Sequence, residues 1–349
     1  MSRQDDDDDD GDDRRAAPGP RKPRYVLHAG LFLATFLTTT MTGAIQVHGG
    51  LSIGPMNDGL IYSVPLMLIL LCHELGHYIV ARRHGVDASL PYFIPFPLGL
   101  GTLGAVIGMR QQTTDRKQLI DVGAAGPLAG LAVAIPVLII GLMKSDLGPR
   151  LHEAGALMEG NSILYAVAKR LIKGAWLPSS VADVSLHPMA YAGWAGLLIT
   201  MINLLPIGQL DGGHIATSYF GNRYGRFADS LRRFLPIMAI GVFFWVLYVV
   251  KDEMGKAWDP SVGARVAMNA ATFWLVWFLL VSLMRRMSGG VNHPPVDDEP
   301  LPRSRRALFW LMVVVFVGVF MPVPMREIPG NQANPAESAE SGTSASLER

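Results

Sequence analysis

The residues best suited to chemistry in this chain are His73, Glu74 and His77, in the stretch His73-Glu74-Leu75-Gly76-His77. On a helix, side chains four apart share a face, so His73 and His77 can offer two imidazoles to one metal ion. Glu74 then stands beside the first ligand and can serve as general base toward an attacking water. This is the H-E-x-x-H arrangement of zinc hydrolases. Its setting is apolar, with Leu66 to Cys72 leading in and Tyr78 to Ala81 leading out. Three polar side chains on adjacent turns of a membrane-spanning helix are costly to desolvate without a common partner, which makes a functional site the default hypothesis. A chance match to a five-residue pattern is the alternative, and a second element is needed to decide.

A catalytic zinc takes three protein ligands and keeps one position open. The third could come from His84, His152, Glu153, His187, Asp211, His214 or His293. His84, followed by Gly85, reads as a helix end facing water, and His152 and Glu153 fall on a loop at the far side of the membrane. Asp211 is the best candidate, because it follows the apolar segment Asn203 to Leu210 and precedes Gly212-Gly213. Pro206 and the glycines are expected to unwind the backbone and let a short carboxylate turn inward. Zn²⁺ with two neutral imidazoles and one carboxylate carries a net +1, a tolerable charge in a low-dielectric interior.

The elements that must position these groups are membrane helices. Half of the 349 residues are hydrophobic and 17% are charged, a polytopic membrane composition. The formal net charge of +1 points to neither nucleic acid nor a strongly charged partner. The single cysteine, Cys72, excludes an intrachain disulfide and a cysteine-based zinc cluster and reads as a small packing residue.

Residues 1–24 run from Asp5–Asp10 through Asp12 and Asp13 into a basic, Pro-rich stretch, with nothing to bury, and are expected to be a disordered tail. Apolar spans follow at about Tyr25–Ile45, Leu60–Arg83, Leu119–Met143, Met189–Leu205, Phe234–Val250, Ala270–Leu283 and Ala307–Met321. Residues 322–349 read as a second tail. Between the second and third spans, Ala88–Gln112 is apolar but broken by Pro91, Pro95, Pro97 and four glycines. Tyr92–Ile94 and Leu103–Met109 can pair as short strands, giving either a re-entrant hairpin beside the histidine helix or an interfacial loop. An open strand edge there could receive an extended substrate by strand addition. A weakly amphipathic stretch near Ile163–Ile172 suits the membrane surface.

The charges test this layout. With the N-terminus inside and seven spans, the cytoplasmic segments hold 20 of the 30 Lys and Arg residues, as the positive-inside rule requires. The expected fold is an all-α polytopic membrane protein of about seven transmembrane helices with a small β-hairpin near the zinc site. Its membrane domain covers residues 25–321. The expected location is a bacterial inner membrane, a plastid membrane staying open, with the N-terminus cytoplasmic.

His73-Glu74-Leu75-Gly76-His77 together with Asn203-x-x-Pro206-x-x-x-Leu210-Asp211-Gly212-Gly213 resembles the site-2 protease family of intramembrane zinc metalloproteases. Gly126-Pro127-Leu128-Ala129-Gly130, between the two motifs, is similar to that family too. The resemblance covers about residues 60–215, the family's catalytic core. The extra C-terminal spans and Asn292-His293-Pro294-Pro295 look like the larger bacterial and plastid members. The loop at 144–188 is too short to hold the PDZ-like domain that some members insert. The resemblance implies that His73, His77 and Asp211 bind Zn²⁺ and that Glu74 activates the water. It also implies that Asn203 stabilises or orients the scissile peptide. His187, His214 and His293 receive no role.

The implied function is cleavage of peptide bonds in or near the transmembrane segments of membrane-protein substrates, with no nucleic-acid partner. Two other classes stay open. A catalytically silent scaffold or chaperone of the same fold is disfavoured by an intact Glu74. A metal transporter would line a path with several acids and histidines, in which the spans are poor.

Overall fold

The computed structural model describes residues 24–48, 56–109, 114–149, 157–179, 182–290 and 293–329. The N-terminal tail up to residue 23, the stretch after 329, and His152 and Glu153 lie outside these.

Helix α1 (Tyr25–His48) leads to α2 (Met56–Arg83), which carries the two histidines and closes with Arg82 and Arg83 in its last turn. Strands β1 (Tyr92–Pro95) and β2 (Thr102–Val106) pair antiparallel, Tyr92 against Val106 and Pro95 against Thr102, so the hairpin expected from the Pro/Gly density forms. Helix α3 (Arg116–Lys144) starts at an Asp115 cap whose side chain accepts from the Lys117 and Gln118 amides. It packs closely on α2: a methyl on Gly76 would lie 2.5 Å from the Ala125 carbonyl.

At the far end of α3 come β3 (Asp146–Pro149), β4 (Leu157–Glu159), helix α4 (Ile163–Lys173) and β5 (Ala182–Ser185), which pairs with β3. Helix α5 (Pro188–Asn203) is buried on every residue from Ala190 to Leu198 and forms the interior of the bundle. Helix α6 (Asp211–Phe220) follows a break, and then come α7 (Tyr224–Met254), α8 (Pro260–Met287) and α9 (Arg303–Val319).

Five stretches are long and apolar enough to cross a membrane, those carrying α1, α2, α3, α7 and α8. The other two expected spans are helical but short, at 16 residues for α5 and 17 for α9. Helix α5 ends at Asn203, three residues before Pro206, and most of its residues are buried within the protein. On α7, Phe234, Ile237, Ile240, Phe244 and Tyr248 are exposed along one side. Such a row suits an apolar surrounding, and with the five long apolar helices it fits a membrane protein.

On one side of the bundle Arg116 ties α3 to the end of α6, donating to Ser218 O and Tyr219 O at 2.7 and 2.9 Å. Arg305 of α9 reaches Asp121 of α3 there, at 2.8 Å. On the opposite side, strand β6 (Met325–Glu327) pairs with β4. Residues 322–329, assigned to the C-terminal tail by composition, are therefore folded. Glu327 is buried against Arg265 and Asn269 of α8, which a polar-tail composition does not reveal.

Candidate metal centre

His73 and His77 project from α2 as their spacing requires, and Asp211 meets them from α6. His73 Nε2, His77 Nε2 and Asp211 Oδ2 stand 3.2 Å from one another in all three pairings. Two ligands at about 2.0–2.1 Å on a tetrahedral zinc are separated by about 3.3 Å, so the donor set fits the ion. These three residues are the one such group among the described residues.

The tautomer agrees as well. His77 Nδ1 lies 2.8 Å from the Val122 carbonyl of α3, and a ring nitrogen facing a carbonyl must donate. Its Nε2 then keeps a lone pair directed at the cluster, the arrangement that outer partners of metal-bound histidines impose. His73 and His77 are 3% and 6% exposed, and Glu74, at 4%, lines the same cavity.

Helix α3 makes room for the rings. A methyl on Gly126 would lie 2.0 Å from His77 Nε2, and one on Gly130 would lie 3.1 Å from His73 Nδ1. The two glycines repeat at four residues, as the histidines do, so one glycine faces each ring. The sequence carried this signal in the matched spacing, but not the pairing. The Val122 carbonyl left no trace, since a backbone acceptor belongs to every residue type.

Asn203 ends α5 and Asp211 begins α6, and the seven residues between them form the break. Tyr224 donates to this break near the Pro206 and Gly208 carbonyls, both at 3.4 Å. Gly208 has φ +62°, a left-handed turn that suits glycine. The expected unwinding at Gly212-Gly213 is not found. Both are helical in the first turn of α6, and they are needed for space: a methyl on Gly212 would lie 2.1 Å from Leu204 O. Asp211 thus sits at a helix N-terminus, where backbone N–H groups favour a carboxylate. Asn203 Nδ2 lies 3.2 Å from His73 Nε2, so all five expected site residues meet in one place.

The cavity has a volume of about 140 Å³. Ala105, Val106 and Ile107 line one wall, and β2 pairs with β1 alone among the described strands, so its other edge is open. His214 lines another wall, with its Nδ1 3.0 Å from His293 Nε2. His293 Nδ1 faces the Pro294 carbonyl at 2.8 Å and must donate to it. In a neutral ring its Nε2 is then the acceptor and His214 Nδ1 the donor. Burial lowers the pKa of His293, which favours that neutral form. His187 accepts from the Met189 amide as the cap of α5. His84 pairs with Asp121 at the end of α2.

A family profile described as Peptidase family M50 matches residues 61–248. The chain is 36% identical over 229 residues to the probable zinc metalloprotease EGY1, chloroplastic, of Arabidopsis thaliana, which covers 60% of this chain and 41% of that protein. It is 33% identical over 208 residues to the probable zinc metalloprotease EGY2, chloroplastic, of the same plant, covering 57% and 36%. The chain thus spans about two fifths of the length of these curated relatives. They are named as chloroplast proteins, in contrast to the bacterial membrane expected from sequence. No solved structure matches.

Proposed function

The chain belongs to peptidase family M50, and on that premise we propose that it is an intramembrane zinc endopeptidase. It cleaves peptide bonds in or near the transmembrane segments of other membrane proteins. The observation that carries this reading is the triangle of His73, His77 and Asp211 donors, with Glu74 and Asn203 on the same small cavity.

His73, His77 and Asp211 hold the ion. Zinc, when bound, supplies Lewis-acid polarisation of the scissile carbonyl and acidifies the attacking water. Glu74 takes the water proton and passes it to the leaving amine, and its burial limits competition from bulk water. Asn203 brings an amide N–H donor to the cluster, placed to meet the oxyanion that develops on the carbonyl. An extended substrate adds to the open edge of β2 alongside these groups. A helical peptide bond is shielded by its own backbone hydrogen bonds, so the substrate segment unwinds first.

A single three-donor group among the described residues is a fixed centre and not a path of successive sites, which favours hydrolysis over metal transit. The proteolytic unit is the membrane domain at about residues 25–329. In this reading the N-terminus and the mouth of the site face the cytoplasmic side of a bacterial plasma membrane or the corresponding side of a plastid one, a placement that the bias of Lys and Arg supports. The test is co-expression with single-span substrates, comparing wild type with Glu74→Gln and locating the cut by mass spectrometry. A cut present in wild type and absent in the variant is expected; identical patterns overturn the reading.

A further inference from the structure

Three side chains of α1 and α2 hold the β1–β2 hairpin by its backbone carbonyls. His28 Nδ1 donates to Pro91 O at 2.9 Å, and Tyr62 donates to Leu100 O at 2.9 Å. Thr38 Oγ1 approaches Ala34 O and Thr35 O of its own helix at 3.2 and 3.1 Å. A hydroxyl has one proton, and Gly101 O, at 2.7 Å, is the nearest acceptor. Between these grips the rings of His28 and Tyr92 stand 4.1 Å apart, and Phe32 meets Phe93 edge to face at 5.1 Å. A methyl on Gly101 would lie 2.6 Å from Thr39 Cα, so the hairpin turn is seated directly on the α1 backbone.

The ten residue steps from His28 to Thr38 span about 15 Å of helix. A strand of four or five residues covers about the same length. Helix α1 therefore runs along the whole hairpin, gripping its open end at Pro91 and its turn at Gly101. The free edge of β2 that lines the cavity lies on the unit so held.

We propose that α1 acts as a ruler for cleavage. His28 and Thr38 are positioning residues that fix the height of the β2 edge against His73, His77 and Asp211. They thereby fix which bond of an added substrate strand faces Glu74. The inference rests on the protease reading above. Neither residue touches the donor cluster, so loosening them changes where and how tightly substrate sits and leaves the chemistry in place. A slip of one residue moves a strand by about 3.3 Å and reverses its side chains, so a loose hairpin cuts at neighbouring bonds.

The experiment uses the full-length protein in proteoliposomes with a single-span substrate. Wild type is compared with Thr38→Val, with the pair His28→Leu and Thr38→Val, and with the donor-retaining pair His28→Asn and Thr38→Ser. KM, kcat, zinc content and cut position are read together. The apolar pair is expected to raise KM roughly five- to tenfold, as the loss of hydrogen bonds entails, and to spread the cut over adjacent bonds at unchanged zinc content. The donor-retaining pair is expected to restore the single cut. If the apolar pair fails to fold, Thr38→Val alone, nearly isosteric, carries the same expectation at smaller size. A wild-type cut whose position and KM are unchanged in the variants overturns this inference alone. The absence of any Glu74-dependent cut in wild type overturns the protease reading, and this inference with it.

Discussion

Gly126 of α3 faces the His77 ring so closely that a methyl at its Cα would lie 2.0 Å from Nε2. That is far inside contact distance, and the atom it would strike is a proposed metal ligand. Gly126→Ala is therefore expected to displace the imidazole and weaken zinc binding at least 10- to 100-fold, the range seen when partners of metal ligands are disturbed. Gly30→Ala, with open space around the added methyl, is expected to bind zinc as wild type does. Zinc stoichiometry by mass spectrometry after dialysis against a graded chelator measures both. Equal zinc retention would contradict the close fit.

Gly212 tests the junction that places Asp211. Its added methyl would meet Leu204 O at 2.1 Å, and this backbone cannot rotate away as a side chain can. Gly212→Ala should cost about 1–3 kcal/mol, as overpacked interiors do. It should also lower zinc affinity and activity together, because α6 must shift. Thermal unfolding in detergent and zinc titration check the coupling; loss of stability with full zinc affinity would show that Asp211 does not depend on this contact.

Glu74→Gln removes the base while conserving shape. General acid–base groups contribute typically 10²- to 10⁴-fold, so kcat is expected to fall by about that factor with zinc content unchanged. Single-turnover cleavage, paired with zinc analysis, separates lost proton transfer from lost metal.

Asn203→Ala removes a donor directed at the cluster. The loss of an oxyanion donor costs about 10²–10³ in kcat, with KM little changed. If Asn203 instead only braces α5, stability and zinc content would move and kcat would follow them. Measuring all three in one preparation distinguishes the roles.

What could be read from residues alone follows from how local each feature is. The pairing of His73 with His77 is a property of one helix and needs no tertiary information. Asp211 could be picked out because a carboxylate after a proline-broken apolar run has few places to go. The hairpin showed itself because Pro91, Pro95, Pro97 and the neighbouring glycines exclude a helix. Long-range features were not readable. His214 and His293 meet across 79 positions, and no local pattern couples them. The glycines at 126 and 130 suggest a close-packed face without saying that imidazoles fill it. Helix α5 reads as a span by hydropathy, and its place in the interior of the bundle could not be read, because apolar sequence does not distinguish lipid from buried protein. Strand β6 lies in a stretch whose composition resembles a tail, and only its pairing with β4 orders it.

The most direct test of the metal centre is X-ray absorption at the zinc edge on the purified full-length protein, alongside Asp211→Ala. The triangle of donors predicts one zinc per chain with two imidazole nitrogens and one carboxylate oxygen at about 2.0–2.2 Å, and loss of zinc or of the oxygen in the variant. A wild-type protein without zinc, or a zinc environment that shows no paired imidazoles and is unaltered by Asp211→Ala, would contradict it.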